Sequence, residues 1–374
     1  MKILSLSLDK TILTSDSPLA RRTILYGELV DKYLVVVPGG NNDEKKLSEG
    51  VNIFSSAGKT KIIKLLNIYS LAKKIIKKEN INVITVQDPY FIAYIGWRLA
   101  KKYKVGLEVQ VHGFEKYFGL RKIIAKFILP RADSVRVVSK RLESEMVKDF
   151  KVRQDRITVV PIYSDAGIRN REAARLPMLG ASGQGSRNQE RGDKFAFLTV
   201  GRLVEVKNIG MQLRAFKNLD FRFKNLELQI IGSGKEERNL KLEITNLGLE
   251  EKVKFFGWQN DLSKFYNQAD VFVLTSNYEG WGLAVIEAAS YGLPIIMTDV
   301  GCAGEVIKNN ESGIVIPVGD IQALEKAMIK LINNKDLRLR LGDAAKQAVK
   351  KLPSLEETLK LYKESWEKAI NNPN

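Results

Sequence analysis

Two glutamates flank a Gly-Trp-Gly turn in the stretch SNYEGWGLAVIEAAS (276–290). Glu279 precedes the turn, and Glu287 lies in the apolar run that follows it, where helical spacing leaves almost no solvent-facing side. An unpaired carboxylate buried at such a position is strongly destabilising. We therefore expect Glu287 to interact with an arginine, a backbone amide or a hydroxyl group of a ligand.

The stretch GRLVEVKN (201–208) places two cations beside the start of a predicted helix. Gly201 permits close approach of the backbone to a ligand, and Arg202 and Lys207 supply the positive charges. Because the amino end of a helix is itself positive, cations at this place favour an anion held between them. Two solvated surface charges are the alternative interpretation.

Three further loops follow predicted strands in the C-terminal half. Gly232 opens the glycine-rich turn GSGK, and Trp258 follows another strand where it could pack on a base or sugar, although such tryptophans more often belong to a core or its rim. The stretch YEGWGL presents backbone amides that could hold a phosphate or a hydroxyl, namely those of Gly280, Trp281, Gly282 and Leu283. Each loop alone is ambiguous, but four of them in one half-chain indicate a ligand site.

Predicted strands alternate with helical patterns along the chain, which indicates two doubly wound α/β domains. Most of the strands are continuous apolar runs, as expected of parallel strands covered by helices on both faces. Ligands bind such sheets beyond the carboxyl ends of the strands. The predicted strands are 2–8, 33–38, 82–87, 107–112, 134–139 and 157–162 in the first half, and 195–201, 226–232, 252–257, 270–276, 294–299 and 313–318 in the second.

The composition of residues 164–194 separates the two halves. This segment is rich in Gly, Ser, Arg, Asn and Gln and poor in aromatic residues, as is typical of a linker. We predict an N-terminal domain over residues 1–163 and a C-terminal domain over 195–352. The helical pattern of 353–370 is expected to pack back on the N-terminal domain.

Charge is distributed unevenly over the 374 residues. The net charge is +17, and residues 1–165 carry 30 Lys/Arg against 17 Asp/Glu, whereas residues 195–374 are nearly balanced. Such asymmetry indicates an anionic partner for the N-terminal half: a phosphorylated acceptor, a membrane surface or a nucleic acid. A basic surface without a partner is the alternative.

Cysteine content and hydropathy favour the cytoplasm. Cys302 is the only cysteine, so no internal disulfide can form. No stretch approaches the roughly 18–20 apolar residues of a membrane span. The first residues, MKILSLSLDK, resemble a strand more than a signal peptide.

Four motifs of the C-terminal half resemble those of glycosyltransferase family 4: GRLVEVKN, IIGSGKEERNLK, VKFFGWQNDLSKFYNQADVFVLTS and EGWGLAVIEAASYGLPIIMTDVGCAGEVI. The resemblance covers residues 195–350 closely and the first half in outline. It implies the GT-B architecture, in which two Rossmann-like domains face a central cleft. The N-terminal domain would bind the acceptor, and the C-terminal domain would bind a nucleotide-diphosphate sugar used with retention of configuration.

The resemblance also implies roles for the residues named above. Arg202 and Lys207 would neutralise the departing diphosphate, Glu279 would hold hydroxyls of the donor hexose, and Glu287 would hold the ribose diol. The backbone near Gly282 and Leu283 would meet the distal phosphate. Carboxylates suit hydroxyl recognition, because charge-assisted hydrogen bonds are the stronger ones.

His112, the only histidine, ends the predicted strand in EVQVHGFE (108–115). A single histidine is more often structural than catalytic, but the resemblance places it beside the donor sugar as a catalytic residue. Ser139 also matches a family position, although a helix cap explains it equally well.

No Asp-x-Asp motif occurs in the chain, and the resemblance implies a metal-independent enzyme without a cofactor, with the sugar nucleotide as co-substrate. Two features depart from the family pattern. No glycine is present in DKTILTSDSPLARR after the first strand, where Ser17 and Pro18 indicate a helix start, and PIYSD replaces the usual Pro-Asn-Gly. Both departures affect the acceptor side.

Two basic amphipathic segments, 61–78 and 115–131, could bind an anionic membrane surface. The predicted contacts in the second segment are Lys116, Phe118, Arg121, Lys122, Lys126 and Phe127. Ordinary core-facing helices with a basic outer side are the alternative. The expected location is cytoplasmic and peripheral, on the inner face of the plasma membrane.

The function predicted in this way is hexosyl transfer from a UDP- or GDP-linked sugar to a glycan or lipid-linked acceptor, in polysaccharide, cell-wall or glycolipid synthesis. A nucleotide-sugar epimerase or a phosphorylase of the same architecture is the enzymatic alternative. A basic nucleic-acid-binding protein is the non-enzymatic one, although no stacking platform or nucleic-acid module is recognisable. The oligomeric state stays open.

Overall fold

The computed structural model describes residues 1–114, 119–164 and 194–372. They form two compact units, one of Met1–Pro161 with the segment from Pro353 onward, and the other of Ile162–Leu352. The predicted linker, 164–194, lies almost entirely outside the described residues. Each unit combines a mostly parallel sheet with helices that alternate with its strands along the chain.

The sheet of the first unit has eight strands among the described residues, in the order β3-β4-β2-β1-β5-β6-β7-β8. All pairings are parallel except that of β3 with β4. The strands are β1 Lys2–Leu6, β2 Lys32–Pro38, β3 Glu44–Ser48, β4 Val51–Ser56, β5 Val83–Val86, β6 Gly106–Val111, β7 Ser134–Val137 and β8 Ile157–Val159. The six predicted strands are confirmed.

The hairpin of β3 and β4 was not predicted. Its outer strand, EKKLS, is mostly polar and partly exposed at the sheet edge, so it lacks the apolar run that identifies the buried strands. β4 carries Ser and Asn among its apolar residues, which weakens the pattern further.

Five helices of the first unit follow its strands: α1 Pro18–Glu28, α2 Lys61–Glu79, α3 Phe91–Tyr103, α4 Gly119–Ile128 and α5 Lys140–Phe150. The predicted helix start at Ser17 and Pro18 is confirmed, because the Ser17 hydroxyl accepts a hydrogen bond from the Ala20 amide. Ser139 likewise caps α5 through the Leu142 amide. This contact gives Ser139 a structural role.

The sheet of the second unit has six parallel strands among the described residues, in the order β11-β10-β9-β12-β13-β14. They are β9 Phe195–Val200, β10 Leu226–Ile231, β11 Val253–Phe255, β12 Val271–Leu274, β13 Ile295–Thr298 and β14 Ile314–Ile316. All six were predicted. The helices are α6 Ile209–Asp220, α7 Glu237–Leu247, α8 Ser263–Gln268, α9 Leu283–Ser290, α10 Ile321–Asn333 and α11 Lys335–Lys350.

The last helix, α12 Leu355–Asn371, begins with a capping box in which Ser354 and Glu357 exchange hydrogen bonds. It packs on β6, β7 and β8 of the first unit. Trp366 is fully buried there and joins a core cluster with Tyr33 of β2. An apolar stripe on α12 thus covers one face of the first sheet.

Candidate active site

The order of strands in the second sheet creates a switch point at β9. The chain continues from β9 to β10 and β11 on one side, whereas β12, β13 and β14 lie on the other. The loops that leave the carboxyl ends of β9 and β12 therefore diverge and leave a crevice, the usual ligand site of such sheets. These two loops contain GRLVEVKN and SNYEGWG.

The two loops meet in an ion pair between Lys207 and Glu279. The Lys207 ammonium donates to Oε1 of Glu279, and the Ser276 hydroxyl donates to the same oxygen at 2.7 Å. The side chains are only 17% and 10% exposed. Oε2 of Glu279 accepts no hydrogen bond from any residue that the structure describes. This oxygen remains available for a donor from outside the protein.

Backbone and side-chain contacts fix the relative position of the two loops. The Asn277 amide donates to the Val206 carbonyl at 2.7 Å, and the Thr275 hydroxyl donates to the Asn208 carbonyl at 3.0 Å. Gln212 of α6 in turn donates to Thr275 at 2.9 Å. The Lys207–Glu279 pair is therefore held by the packing of α6 and β12.

Glycines allow close contact between the loop after β9, which contains Gly201, and the loop after β10, which contains Gly232. Gly232 has a φ of 135°, and a Cβ there would come within 1.9 Å of the Gly201 carbonyl oxygen. A Cβ on Gly201 would lie 3.7 Å from the Lys207 side chain. Gly232 is thus required for packing, which the sequence pattern did not reveal.

The start of α9 presents unused backbone donors. Gly282 caps the helix with a φ of 92°, a conformation that favours glycine. Within the described part of the chain, the amides of Gly280, Trp281 and Gly282 donate to no protein acceptor. They lie beside the positive end of α9, the arrangement that binds phosphate in other proteins.

Trp281 contributes its backbone and not its ring to this surface. Its indole is 2% exposed and packs in the core, and no described residue accepts a hydrogen bond from its Nε1. Leu283, the first residue of α9, is partly exposed beside it.

Glu287 interacts with a tyrosine, which was not among the expected partners. The Tyr266 hydroxyl on α8 donates to Glu287 Oε2 at 3.0 Å. Burial, followed by the charge of Glu287, raises the pKa of Tyr266, so its hydroxyl stays protonated and keeps donating. Glu287 itself is half-buried. The segment KFYNQAD contains this tyrosine, but only the packing of α8 against α9 shows that the two side chains meet.

Arg202 and Trp258 lie at the periphery of this arrangement. Arg202 is exposed, immediately after Gly201. Trp258 is 70% exposed, and its indole donates to Asn260 at 3.2 Å. The Gly257 carbonyl accepts from the Gly232 amide, so the loop of Trp258 adjoins that of Gly232, but no hydrogen bond joins the Trp258 indole to the Lys207–Glu279 pair.

His112 belongs to the first unit and follows β6 at the carboxyl edge of its sheet. Part of the His112 surface reaches solvent, but the protein atoms packed around the imidazole disfavour its charged form. Arg136 and Arg22 also repel a positive charge there. The pKa of His112 therefore falls to about 4, although Glu108 opposes the change. The imidazole is therefore neutral at physiological pH. It can exchange hydrogen bonds with a ligand without adding charge.

The predicted membrane contacts are only partly visible. Lys116 and Phe118 lie outside the described residues. Lys122 and Lys126 are exposed, and the Arg121 guanidinium lies 5.4 Å from the Tyr90 ring centroid. The ring of Phe127 packs edge-on against Trp97, with centroids 5.0 Å apart. Phe127 is half-buried, so its predicted membrane contact stays a prediction.

Two family models match the chain. That of glycosyl transferases group 1 covers residues 185–348, and that of glycosyltransferase family 4 covers residues 31–162. The chain belongs to glycosyltransferase family 4. The resemblance stated above is thus confirmed over both units, and the protein is a glycosyltransferase.

Several curated glycosyltransferases are similar to this chain. A capsular polysaccharide biosynthesis glycosyltransferase of Staphylococcus aureus is 28% identical over 260 residues, which cover 69% of this chain and 67% of that protein. A UDP-galactose:α-D-GlcNAc-diphosphoundecaprenol α-1,3-galactosyltransferase of Escherichia coli is 31% identical over 150 residues, 39% of each chain.

Among solved structures, a glycosyltransferase of Rickettsia africae superposes with a TM-score of 0.72 at 20% identity, covering 99% of each chain. This similarity confirms the predicted GT-B fold class of this family 4 enzyme. Among the described residues, no helix is both long enough and apolar enough to cross a membrane.

Proposed function

We propose that the enzyme transfers a hexose from a UDP- or GDP-linked sugar, with retention of configuration and without a metal ion, to a glycan or lipid-linked acceptor. The observation that carries this proposal is the Lys207–Glu279 pair at the switch point of the second sheet. One carboxylate oxygen there is unused by described residues, and unused amides stand beside it at the start of α9.

The donor hexose would interact with Glu279. Oε1 is occupied by Lys207 and Ser276, which fixes the plane of the carboxylate, so Oε2 can accept a hydroxyl proton in a defined direction. Glu287 would accept hydroxyl hydrogen bonds from the ribose, while Tyr266 holds its carboxylate in place. Trp258, at the end of β11, would contact the base.

The diphosphate would lie between Lys207, Arg202 and the amides that precede α9. Cleavage of the anomeric C–O bond moves an electron pair onto the phosphate oxygen, and preorganised positive groups lower the free energy of that charge. Lys207 and the helix terminus are fixed before the reaction. Together with the absence of an Asp-x-Asp motif from the sequence, this charge inventory supports a metal-independent mechanism.

The family pattern assigns His112 to contact with the donor sugar. Since its imidazole is neutral, it can donate or accept a hydrogen bond at a sugar hydroxyl without repelling positive charge that develops on the anomeric carbon. Retention of configuration would follow if the acceptor hydroxyl attacks the anomeric carbon on the face that the diphosphate leaves and passes its proton to the departing phosphate oxygen, so that no protein nucleophile is needed.

The acceptor would be a growing glycan, free or carried on a lipid at the inner face of the membrane. Support comes from the similar proteins that act in capsule synthesis and on a diphosphoundecaprenol-linked sugar, and from the basic first unit. A role in polysaccharide or cell-wall synthesis would follow.

A thermal-shift screen against UDP-, GDP- and ADP-linked sugars tests the donor class, because a bound ligand raises the apparent stability. We expect a rise with a UDP- or GDP-sugar that persists in EDTA. NMR of the product formed with that donor should show the same anomeric configuration as the donor. A requirement for added metal, or an inverted product, would refute the corresponding part of the proposal.

A further inference from the structure

Three neighbouring helices of the first unit share an unusual feature: their exposed apolar side chains are concentrated at their amino ends. α3 packs against both α2 and α4. Of the nine large hydrophobic side chains that are exposed among the described residues of this unit, seven lie within the first six residues of these helices. They are Ile62, Ile63, Leu66, Phe91, Tyr94, Leu120 and Ile123, which we call the apolar patch.

The topology places all seven at one edge of the sheet. α2, α3 and α4 follow β4, β5 and β6, which run parallel to one another. Their amino ends therefore lie at the carboxyl edge, where His112 follows β6. Burial elsewhere on the helices is ordinary, since Ile68 and Ala72 of α2 pack on the sheet. The patch is thus not a by-product of poor packing along whole helices.

The charge of these helices is almost entirely positive. Together α2, α3 and α4 contain twelve Lys/Arg residues and a single acidic one, Glu79, and Glu79 forms an ion pair with Lys32. Arg121, Lys122 and Lys126 lie on the same short helix as Leu120 and Ile123. Six of the twelve cations lie within the first eight residues of their helices, near the patch: Lys61, Lys64, Arg98, Arg121, Lys122 and Lys126. Large exposed apolar groups next to cations are the composition of an interfacial membrane surface.

We propose that the apolar patch and the six cations beside it, at the amino ends of α2, α3 and α4, dock on the headgroups of an anionic lipid bilayer. Leu66 and Ile123, which are 62% and 65% exposed, enter the headgroup region, and the basic side chains contact lipid phosphates. This docking holds the His112 edge of the first sheet close to the membrane. The docking proposal deepens the proposed function. Only its link to a lipid-linked acceptor rests on that function.

Two other occupants fit the observations less well. A second copy of the chain would bring these positively charged helices against themselves in a two-fold contact, and like charges repel. Single-stranded nucleic acid favours aromatic stacking platforms, whereas five of the seven patch residues are aliphatic. A bilayer satisfies both the apolar and the basic components.

Co-sedimentation with phosphatidylcholine vesicles, with and without phosphatidylglycerol, tests the docking surface. We expect binding that requires phosphatidylglycerol and weakens in high salt. The triple variant Arg121→Ser, Lys122→Ser, Lys126→Ser should bind about a hundredfold more weakly, since each cation near an anionic leaflet contributes about fivefold. The double variant Leu66→Ser, Ile123→Ser should lose at least about tenfold.

The matched control is Phe221→Ser, Arg222→Ser, Lys224→Ser, which removes an exposed aromatic ring and two exposed cations from the second unit. Its vesicle binding should equal that of the wild type. Equal losses in the control, or vesicle binding unaffected by either surface variant, would overturn the proposal. A dimer in solution that dissociates in the Leu66, Ile123 variant would also overturn it in favour of a second copy.

A spectroscopic measurement separates insertion from mere attraction. Cys302 is buried, so a fluorophore on Ile123→Cys can be attached selectively; its emission should shift to shorter wavelength on anionic vesicles, whereas a label on Leu339→Cys should not. Calorimetry with UDP- and GDP-sugars completes the design. We expect the surface variants to bind the donor as tightly as the wild type. If the wild type bound vesicles but no sugar nucleotide, the proposed function would be refuted and the docking surface would stand.

Discussion

Two glutamates, one in each unit, form the same kind of ion pair but differ in the hydrogen bonds that they can still accept. We call a pair closed when the protein uses both carboxylate oxygens, and open when one oxygen is left for a ligand. Glu108 of β6 is fully buried and pairs with Arg136 of β7 at 2.8 Å. Its two oxygens also accept hydrogen bonds from Thr85, Ser365 and Trp366. Glu279 pairs with Lys207 in the second unit but uses only one oxygen among described residues. Glu108 therefore has no oxygen left to accept a hydrogen bond from a ligand, whereas Glu279 has one.

The environment of Arg136 supports the structural role of the closed pair. Burial opposes its charge, but Glu108 and Tyr362 outweigh that effect and raise the pKa of Arg136. Its guanidinium also lies 3.6 Å from the Tyr362 ring centroid on α12. The closed pair therefore joins β6, β7 and the C-terminal helix, whereas the open pair lies at a loop edge.

The largest effect is expected from breaking the closed pair. Glu108→Ala leaves Arg136 buried without its counter-charge and should lower the free energy of unfolding by about 3–5 kcal/mol. Urea denaturation measures it. Glu243→Ala, which breaks the exposed pair with Arg214, is the control and should cost less than about 1 kcal/mol. Equal costs would show that the Glu108 network adds little stability.

Loss of either cation of the candidate site should instead affect turnover. Lys207→Ala, and separately Arg202→Ala, should lower kcat by the equivalent of about 2.7–4 kcal/mol, comparable to the loss of one oxyanion donor. The exposed Lys224→Ala in the same unit is the control and should leave kcat unchanged. Steady-state kinetics checks this. Activity that survives in both variants and disappears with EDTA would contradict the metal-free mechanism.

Removal of the Glu287 carboxylate from the candidate site should weaken nucleotide binding. Glu287→Ala removes a charged acceptor worth about 1.5–3 kcal/mol, so affinity measured by calorimetry should fall roughly ten- to hundredfold. Tyr266→Phe keeps the carboxylate but removes its tyrosine donor, and should lower affinity less. Unchanged affinity in folded Glu287→Ala would make this carboxylate structural, like Glu108.

A separate effect, on stability and not on activity, concerns His112 and pH. Its pKa is about 4 in the folded protein against 6.5 ordinarily, so the unfolded chain binds more protons between these values. The resulting stability is fully present above pH 6.5 and is lost as pH falls toward 4. His112→Gln removes this contribution, so denaturation curves of the variant should vary less over that range. Identical pH dependence would show that the His112 pKa is not lowered.

Local sequence patterns predict both sheets, apart from one edge hairpin, and the loops of the candidate site. Apolar runs identify buried parallel strands because each run is a local property of the chain, and glycines and charges directly after a strand identify loops at the carboxyl edge. Twelve strands and the neighbourhood of Gly201, Lys207 and Glu279 followed from this pattern. The polar edge hairpin of β3 and β4 escaped because it lacks such a run.

Packing between segments that are distant in the chain determines which side chains meet. Tyr266 reaches Glu287 through the packing of α8 on α9, and Ser365 and Trp366 reach Glu108 from more than 250 residues away in the chain. The seven residues of the apolar patch come from three separate helices. Such contacts depend on the distances between distant segments, which periodicity does not encode. For that reason Glu108 and Glu279 look alike as sequence, and only packing makes one closed and the other open.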